Sequence, residues 1–282
     1  MNLNRARPQP PLAVWTGFNG VLTAPRKAAF EDFSDRVGVP AYALHKAMRL
    51  VGAAHGTDLV GVIDTPLMDE ASWSYEVEKQ LGAHFGLVAD LSDFGDHWFA
   101  GQHANTAWVA HLAALRRRGA FVGLLSNLPA AWERHRRQLV DDTHFDDIVC
   151  SHLVGARKPQ PPMFAIAAQQ AGVDPHHCVL VDDLERNCAG AVAAGWQAVL
   201  FRDAEQAALQ VRNLLAATAP PPFPPPAAPP VLSPPGAPSA FPPPAAPPAY
   251  SPLGAPSAFP PPVSSSPGAS SAFSPSGASS GG

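Results

Sequence analysis

Apolar positions along the chain gather into five short runs, separated by longer segments with helical spacing. Leu12-Ala13-Val14-Trp15 ends in the turn Gly17-Phe18-Asn19-Gly20. Ala120-Phe121-Val122-Gly123-Leu124-Leu125 ends at Ser126-Asn127, and Cys178-Val179-Leu180-Val181 ends at Asp182-Asp183. Ile148-Val149-Cys150 and Ala198-Val199-Leu200-Phe201 complete the set. Runs that are apolar on both faces and bounded by turn residues predict strands buried in a parallel sheet. The intervening segments predict helices over about 104–118, 129–140, 160–171, 185–194 and 203–216. Gly119, after Arg116-Arg117-Arg118, is a helix stop with cations at the favoured C-terminal end of the dipole. This alternation predicts an α/β fold, a doubly wound parallel sheet of Rossmann type with helices on both faces.

One stretch departs from it. Residues of about 28–100 carry helical patterns and no strand run. Phe30, Phe33, Val37, Leu44 and Met48 line helical faces, as do Trp73, Val77, Leu81 and Phe85. An all-helical insertion after the first strand predicts a cap over the carboxyl ends of the sheet, where open α/β folds bind ligands. The expected organisation is a core of 12–27 plus 101–216, a cap of 28–100 and a tail of 217–282.

The tail has a different composition. The chain has 282 residues and 34 prolines, and 23 of the prolines lie beyond residue 219. No charged residue follows Arg212. Phe223-Pro224-Pro225-Pro226-Ala227-Ala228-Pro229-Pro230 recurs eighteen residues later from Phe241. Gly236-Ala237-Pro238-Ser239-Ala240-Phe241-Pro242 recurs at the same shift from Gly254, and a degenerate copy starts at Gly268. Such a sequence predicts disorder with polyproline II stretches. Phe223, Phe241, Phe259 and Phe273 each stand among small residues. Single aromatic anchors repeated on a mobile chain suit multivalent docking to a protein partner. A plain spacer is the other reading.

Net charge excludes some classes. Nineteen Lys+Arg against 23 Asp+Glu leave −4, with a pI near 6.2, which argues against a general nucleic-acid binder. No apolar run is long enough for a membrane helix, and the first residues lack a signal-peptide core. Three cysteines in apolar segments, Cys150, Cys178 and Cys188, predict reduced thiols and a cytoplasmic protein. The histidines show no metal-ligand spacing. Arg134-His135-Arg136-Arg137 reads as a solvated basic helix face.

The chemistry-bearing residues stand at the strand ends. Ser126 and Asn127 follow the second strand, Lys158 lies in the loop before a helix, and Asp182-Asp183 follow the fourth strand. A hydroxyl, a lysine and paired carboxylates at successive strand ends suit a phosphate and a hard cation. Taken singly, Ser126 and the two aspartates are also good helix caps.

With these motifs the chain resembles the haloacid dehalogenase superfamily of hydrolases, in the branch with a helical cap. Leu124-Leu125-Ser126-Asn127 is similar to the second motif, whose hydroxyl binds a phosphoryl group. Val154-Gly155-Ala156-Arg157-Lys158-Pro159 is similar to the third, whose lysine neutralises nucleophile and phosphate. Val179-Leu180-Val181-Asp182-Asp183, continued through Asn187 to Gly195, is similar to the fourth, whose acidic pair holds Mg²⁺. The resemblance implies phosphate binding by Ser126, Asn127 and Lys158. It implies a metal set of Asp183, Asp182 and the Asn19 carbonyl.

The first motif departs from the family pattern. Gly20-Val21-Leu22-Thr23 fixes the register, which puts Gly17 at the nucleophilic aspartate and Asn19 at the second, acid/base aspartate. The family's chemistry passes through a covalent aspartyl ester. Gly17 cannot attack, and Asn19 cannot shuttle a proton. Thr16 is one residue out of register, which turns it to the other face. The expectation is a catalytically impaired hydrolase-fold protein. It would bind a phosphorylated small molecule with weakened Mg²⁺ affinity, dock a partner through its tail, or both. The rivals are an active Mg²⁺-dependent phosphatase and a pure interaction module.

Overall fold

A computed structural model describes residues 12–218. The repeats and their four phenylalanines lie outside the described residues. Five parallel strands form one sheet: β1 (Ala13–Thr16), β2 (Phe121–Ser126), β3 (Asp147–Cys150), β4 (Cys178–Asp182) and β5 (Gln197–Leu200). Their spatial order is β3-β2-β1-β4-β5. The chain leaves central β1 toward one edge and later returns to build the other. That reversal opens a crevice at the carboxyl ends of β1, β2 and β4.

Both sheet faces are covered, as the unbroken apolar runs require. On one face Val14, Val122, Leu124, Val179 and Val181 pack with Trp108 and Leu112 of α6 (Thr106–Arg117) and with Val211 of α11 (Ala204–Thr218). On the other, Trp15, Leu125 and Leu180 pack with Met163 and Phe164 of α9 (Pro161–Ala171) and Ala191 of α10 (Glu185–Ala193). Trp15 is fully buried beside Gly123, its partner in the β1–β2 register. A Cβ there would fall 2.3 Å from the indole.

The cap is all helix: α1 (Arg26–Val37), α2 (Ala41–Ala54), α3 (Gly61–Asp64), α4 (Glu70–Phe85) and α5 (Phe94–Phe99). Helix α1 begins inside the expected core segment, two residues before 28. Gly38 and Gly86 stop α1 and α4 in the left-handed conformation, and the Asp69 carboxylate caps α4 through Ser72 N at 2.7 Å. Phe33, Leu44, Trp73, Val77 and Leu81 are buried as the helical spacing predicts.

Three details differ from the sequence reading. The helix over 129–140 is divided into a 3₁₀ turn, Ala130–Trp132, and α7 (Glu133–Leu139). The short helix α8 (Ser151–Val154) directly follows β3. The basic run on α7 is solvated only in part: Arg134 and Arg137 are exposed, but the residues between them are not. Arg136 is buried, donating to Asp142 at 2.6 Å and Glu133 at 3.0 Å, and His135 stacks on Phe99. The charges follow helical spacing, so a contiguous run points in several directions.

Candidate active site

At the end of β1 the backbone is ordered, and Gly17 offers no side chain. Gly17 N donates to Val181 O at 2.8 Å, holding the β1 end against β4. A Cβ on Gly17 would stand 3.1 Å from Asp182 Oδ2 and 3.3 Å from Val21 Cγ2, tight contacts on both sides. Thr16 faces the other way: its hydroxyl accepts from Trp108 Nε1 at 3.0 Å and donates to Gly17 O. Asn19 is buried, and its Oδ1 has no hydrogen-bond partner among the described residues. Gly20 turns the chain at φ +84°, and its N donates to Thr23 Oγ1 at 3.2 Å.

At the end of β2 sit two further candidates. Ser126 is buried, with Oγ 3.4 Å from Asn127 O. The Asn127 amide is occupied in pinning the lysine loop, accepting from Lys158 N at 2.7 Å and donating to Lys158 O at 3.0 Å. Lys158 is buried. Its Nζ donates to Leu125 O and, at 2.7 Å, to Asp182 Oδ2. Ser126, Asn127, Lys158 and Asp182 therefore converge at one place.

The two aspartates at the carboxyl end of β4 have different surroundings. Asp182 Oδ1 accepts from Leu184 N at 3.0 Å and Asn187 Nδ2 at 2.8 Å. Burial alone would raise its pKa, but Lys158 and Arg26 outweigh that and hold it below the usual carboxylate range. Asp183 Oδ2 accepts from Arg26 Nε at 2.7 Å, and Oδ1 is buried without a partner. Burial dominates there and, with Asp182 adjacent, raises its pKa despite Arg26.

Further ion pairs join this end of the sheet to the cap. Arg157 pairs with Asp58 at 2.6 Å and Asp64 at 3.2 Å, and Arg186 pairs with Asp58 at 2.7 Å. Ser151 Oγ donates to Asp64 O at 2.5 Å. Burial pushes the Asp64 carboxyl up to about 6, against the pull of Arg157 and Arg26. Asp58, Asp64, Asp182 and Asp183 thus stand among Arg26, Arg157, Lys158 and Arg186, four anions among four cations. Lys158 has a direct carboxylate partner in Asp182.

Mg²⁺ asks for about six oxygens in near-octahedral geometry. Gly17 supplies no side-chain oxygen. Asp182 is committed to Lys158, Leu184 N and Asn187, and half of Asp183 to Arg26. Among the described residues, the buried side-chain oxygens left without a partner here are Asp183 Oδ1, Asn19 Oδ1 and Asn187 Oδ1, of which only Asp183 is anionic. That set does not fit a resident divalent cation.

Arg26, Asp58 and Asp64 carry no motif spacing, and only the folded cap brings them here. Two clusters with metal-ligand chemistry likewise join distant or adjacent positions that showed no spacing signal: Glu133, Cys150 and His152, and Asp174, His176 and His177. Glu133 of the first already pairs with Arg136 at 2.9 Å. The three cysteines are free, and burial pushes Cys178 and Cys188 up to about 12 and about 11.

Comparison with known proteins agrees with this architecture. The glyceraldehyde 3-phosphate phosphatase of Methanopyrus kandleri is 32% identical over 108 residues, 37% of this chain and 46% of that protein. The fructose-1-phosphate phosphatase of Escherichia coli is 39% identical over 59 residues, 21% of this chain and 31% of that protein. The chain spans less than half the length of the curated relatives it matches. A crystal structure of a HAD family enzyme from Bacteroides thetaiotaomicron, a magnesium complex, shares the fold with a TM-score of 0.51 at 19% identity, covering 69% of this chain and 94% of that one. No helix among the described residues is long and apolar enough to cross a membrane. The family model for haloacid dehalogenase-like hydrolase matches residues 24–195, more than half of the chain and starting just past the β1 turn, so the chain belongs to the haloacid dehalogenase-like hydrolase family.

Proposed function

We propose that this protein is a catalytically impaired member of the hydrolase family, one that binds a small phosphorylated molecule without turning it over. The observation that carries the reading is Gly17. It stands at the carboxyl end of β1, beside Asp182, where the resemblance puts the nucleophile. No side chain there can form the covalent ester. Thr16 is committed to Trp108 on the other face. Asn19 has neither the acidity nor the charge for proton transfer.

The recognition half of the reading rests on Ser126 and Lys158, held together at the strand ends, and on phosphatases among the relatives. Both side chains are buried, so a ligand reaches them only when the surrounding chain opens. The test is isothermal titration of the full chain with inorganic phosphate and with a sugar phosphate. Saturable binding weakened about tenfold or more by Ser126→Ala is expected for loss of a hydrogen bond to a charged oxygen. An absence of saturable binding to either probe would sink the recognition half.

The tail favours a second role. Phe223, Phe241 and Phe259 recur at an eighteen-residue spacing and Phe273 follows fourteen later, which suits repeated docking to a protein partner. Removal of residues 219–282 would abolish such docking and leave phosphate binding intact.

A further inference from the structure

The family's metal and this chain's residues disagree, and Arg26 stands at the point of disagreement. We infer that Arg26 is a built-in counter-cation for Asp183, and that its guanidinium keeps divalent metal out of this crevice. The inference holds whether or not the crevice takes a phosphate.

Three observations carry it. The first is the contact itself: Arg26 Nε lies 2.7 Å from Asp183 Oδ2, with Asp183 only 15% exposed. A guanidinium on a mostly buried carboxylate is a stronger association than a loose surface pair. The second is that the backbone is shaped for it. A Cβ on Gly20 would lie 2.3 Å from Asp183 Oδ2 and 3.1 Å from Arg26 Cγ. Both partners therefore pack on the bare face of one glycine. Pro25 restricts the chain immediately before Arg26, the first residue of α1, so the base of the side chain is fixed.

The third observation is the state of the other ligands. Gly17 has removed one anionic oxygen from the crevice. Lys158 satisfies Asp182. Each carboxylate at the carboxyl end of β4 therefore has its own permanent cation. A divalent ion bound at Asp183 Oδ1 and Asn19 Oδ1 would share its one anionic ligand with the Arg26 guanidinium, whose like charge opposes it. An arginine cannot shed that charge by deprotonation. Loss of the nucleophile leaves Asp183 without its family role, and a covalently attached cation prevents a buried, uncompensated charge.

The test is titration of the full chain with Mn²⁺, read by electron paramagnetic resonance and by the shift in thermal midpoint. Wild type and Arg26→Lys are expected to show no saturable site and no shift. Arg26→Gln, with its fold checked by circular dichroism, is expected to gain one Mn²⁺ site. Its affinity should be at least about tenfold above any wild-type affinity, the scale of removing one nearby like charge. Addition of Asp183→Asn to Arg26→Gln should abolish that site. A wild-type Mn²⁺ site lost in Asp183→Asn would overturn the inference. So would an Arg26→Gln protein that folds and binds Mn²⁺ no better than wild type. If Arg26→Gln does not fold, Arg26→Met is titrated in its place, with the same gain of a Mn²⁺ site expected and the same failure to gain one overturning the inference.

Discussion

Two ends of one crevice have met different fates. At β1 the turn keeps its backbone, from the Gly17 N to Val181 O bond to the left-handed Gly20, but presents no acid. At β4 both acids remain, and each has a cation of the same chain against it. The backbone of β1 is needed by the sheet, because β1 pairs with both β2 and β4. Its side-chain chemistry is not, so it can be lost without cost to the fold. The aspartates at the carboxyl end of β4 do both jobs. Asp182 holds the start of α10 through Leu184 N and Asn187, a structural role that does not depend on catalysis.

The contrast predicts where mutation will hurt. Lys158→Met should be the most damaging change, because it leaves Asp182 ionised and buried. Loss of one partner of a buried pair costs about 3–5 kcal/mol. Urea unfolding should show that loss, and Lys158→Met/Asp182→Asn should recover much of it. If Lys158→Met costs no more than a surface substitution, the β4 end is not held by this pair. Gly20→Ala should come next, at about 1–3 kcal/mol, from a left-handed φ combined with a clash against Asp183. Addition of Asp183→Ala should relieve the clash and leave only the backbone part.

The smallest effect concerns pH. Asp64 holds its proton in the folded state up to about 6, whereas an unfolded aspartate releases it near 4. Between those values the folded state binds more protons, so this group's contribution to stability falls as pH rises through the window. The thermal midpoint of wild type relative to Asp64→Asn should therefore improve from about pH 7.5 down to about pH 5. A difference that is flat, or that moves the other way, would mean Arg157 overrides burial at Asp64.

Much of this arrangement was legible in the sequence. The strand runs were readable because both faces of each strand are buried. That Ser126, Asn127, Lys158 and Asp182 come together was readable because they stand at the carboxyl ends of neighbouring strands or in the loop that reaches them. Gly17 stood out because Gly20-Val21-Leu22-Thr23 fixes the register of the turn. Arg26, Asp58 and Asp64 were not readable, because their partners Asp183, Arg157 and Arg186 lie 93 to 157 positions away. Arg136 was misread for a related reason. Its sequence neighbours are basic, but its spatial neighbours are Glu133 and Asp142.

The central claim is that chemistry was lost at β1 while the crevice around it was kept. The most direct test is hydrolysis of p-nitrophenyl phosphate by highly purified protein with Mg²⁺ present, alongside the Asp183→Asn variant to expose contaminating phosphatase. The account predicts a wild-type rate no higher than that of Asp183→Asn, with both at background. Turnover by wild type that Asp183→Asn abolishes would contradict it, and would place an intact catalytic centre where Gly17 stands.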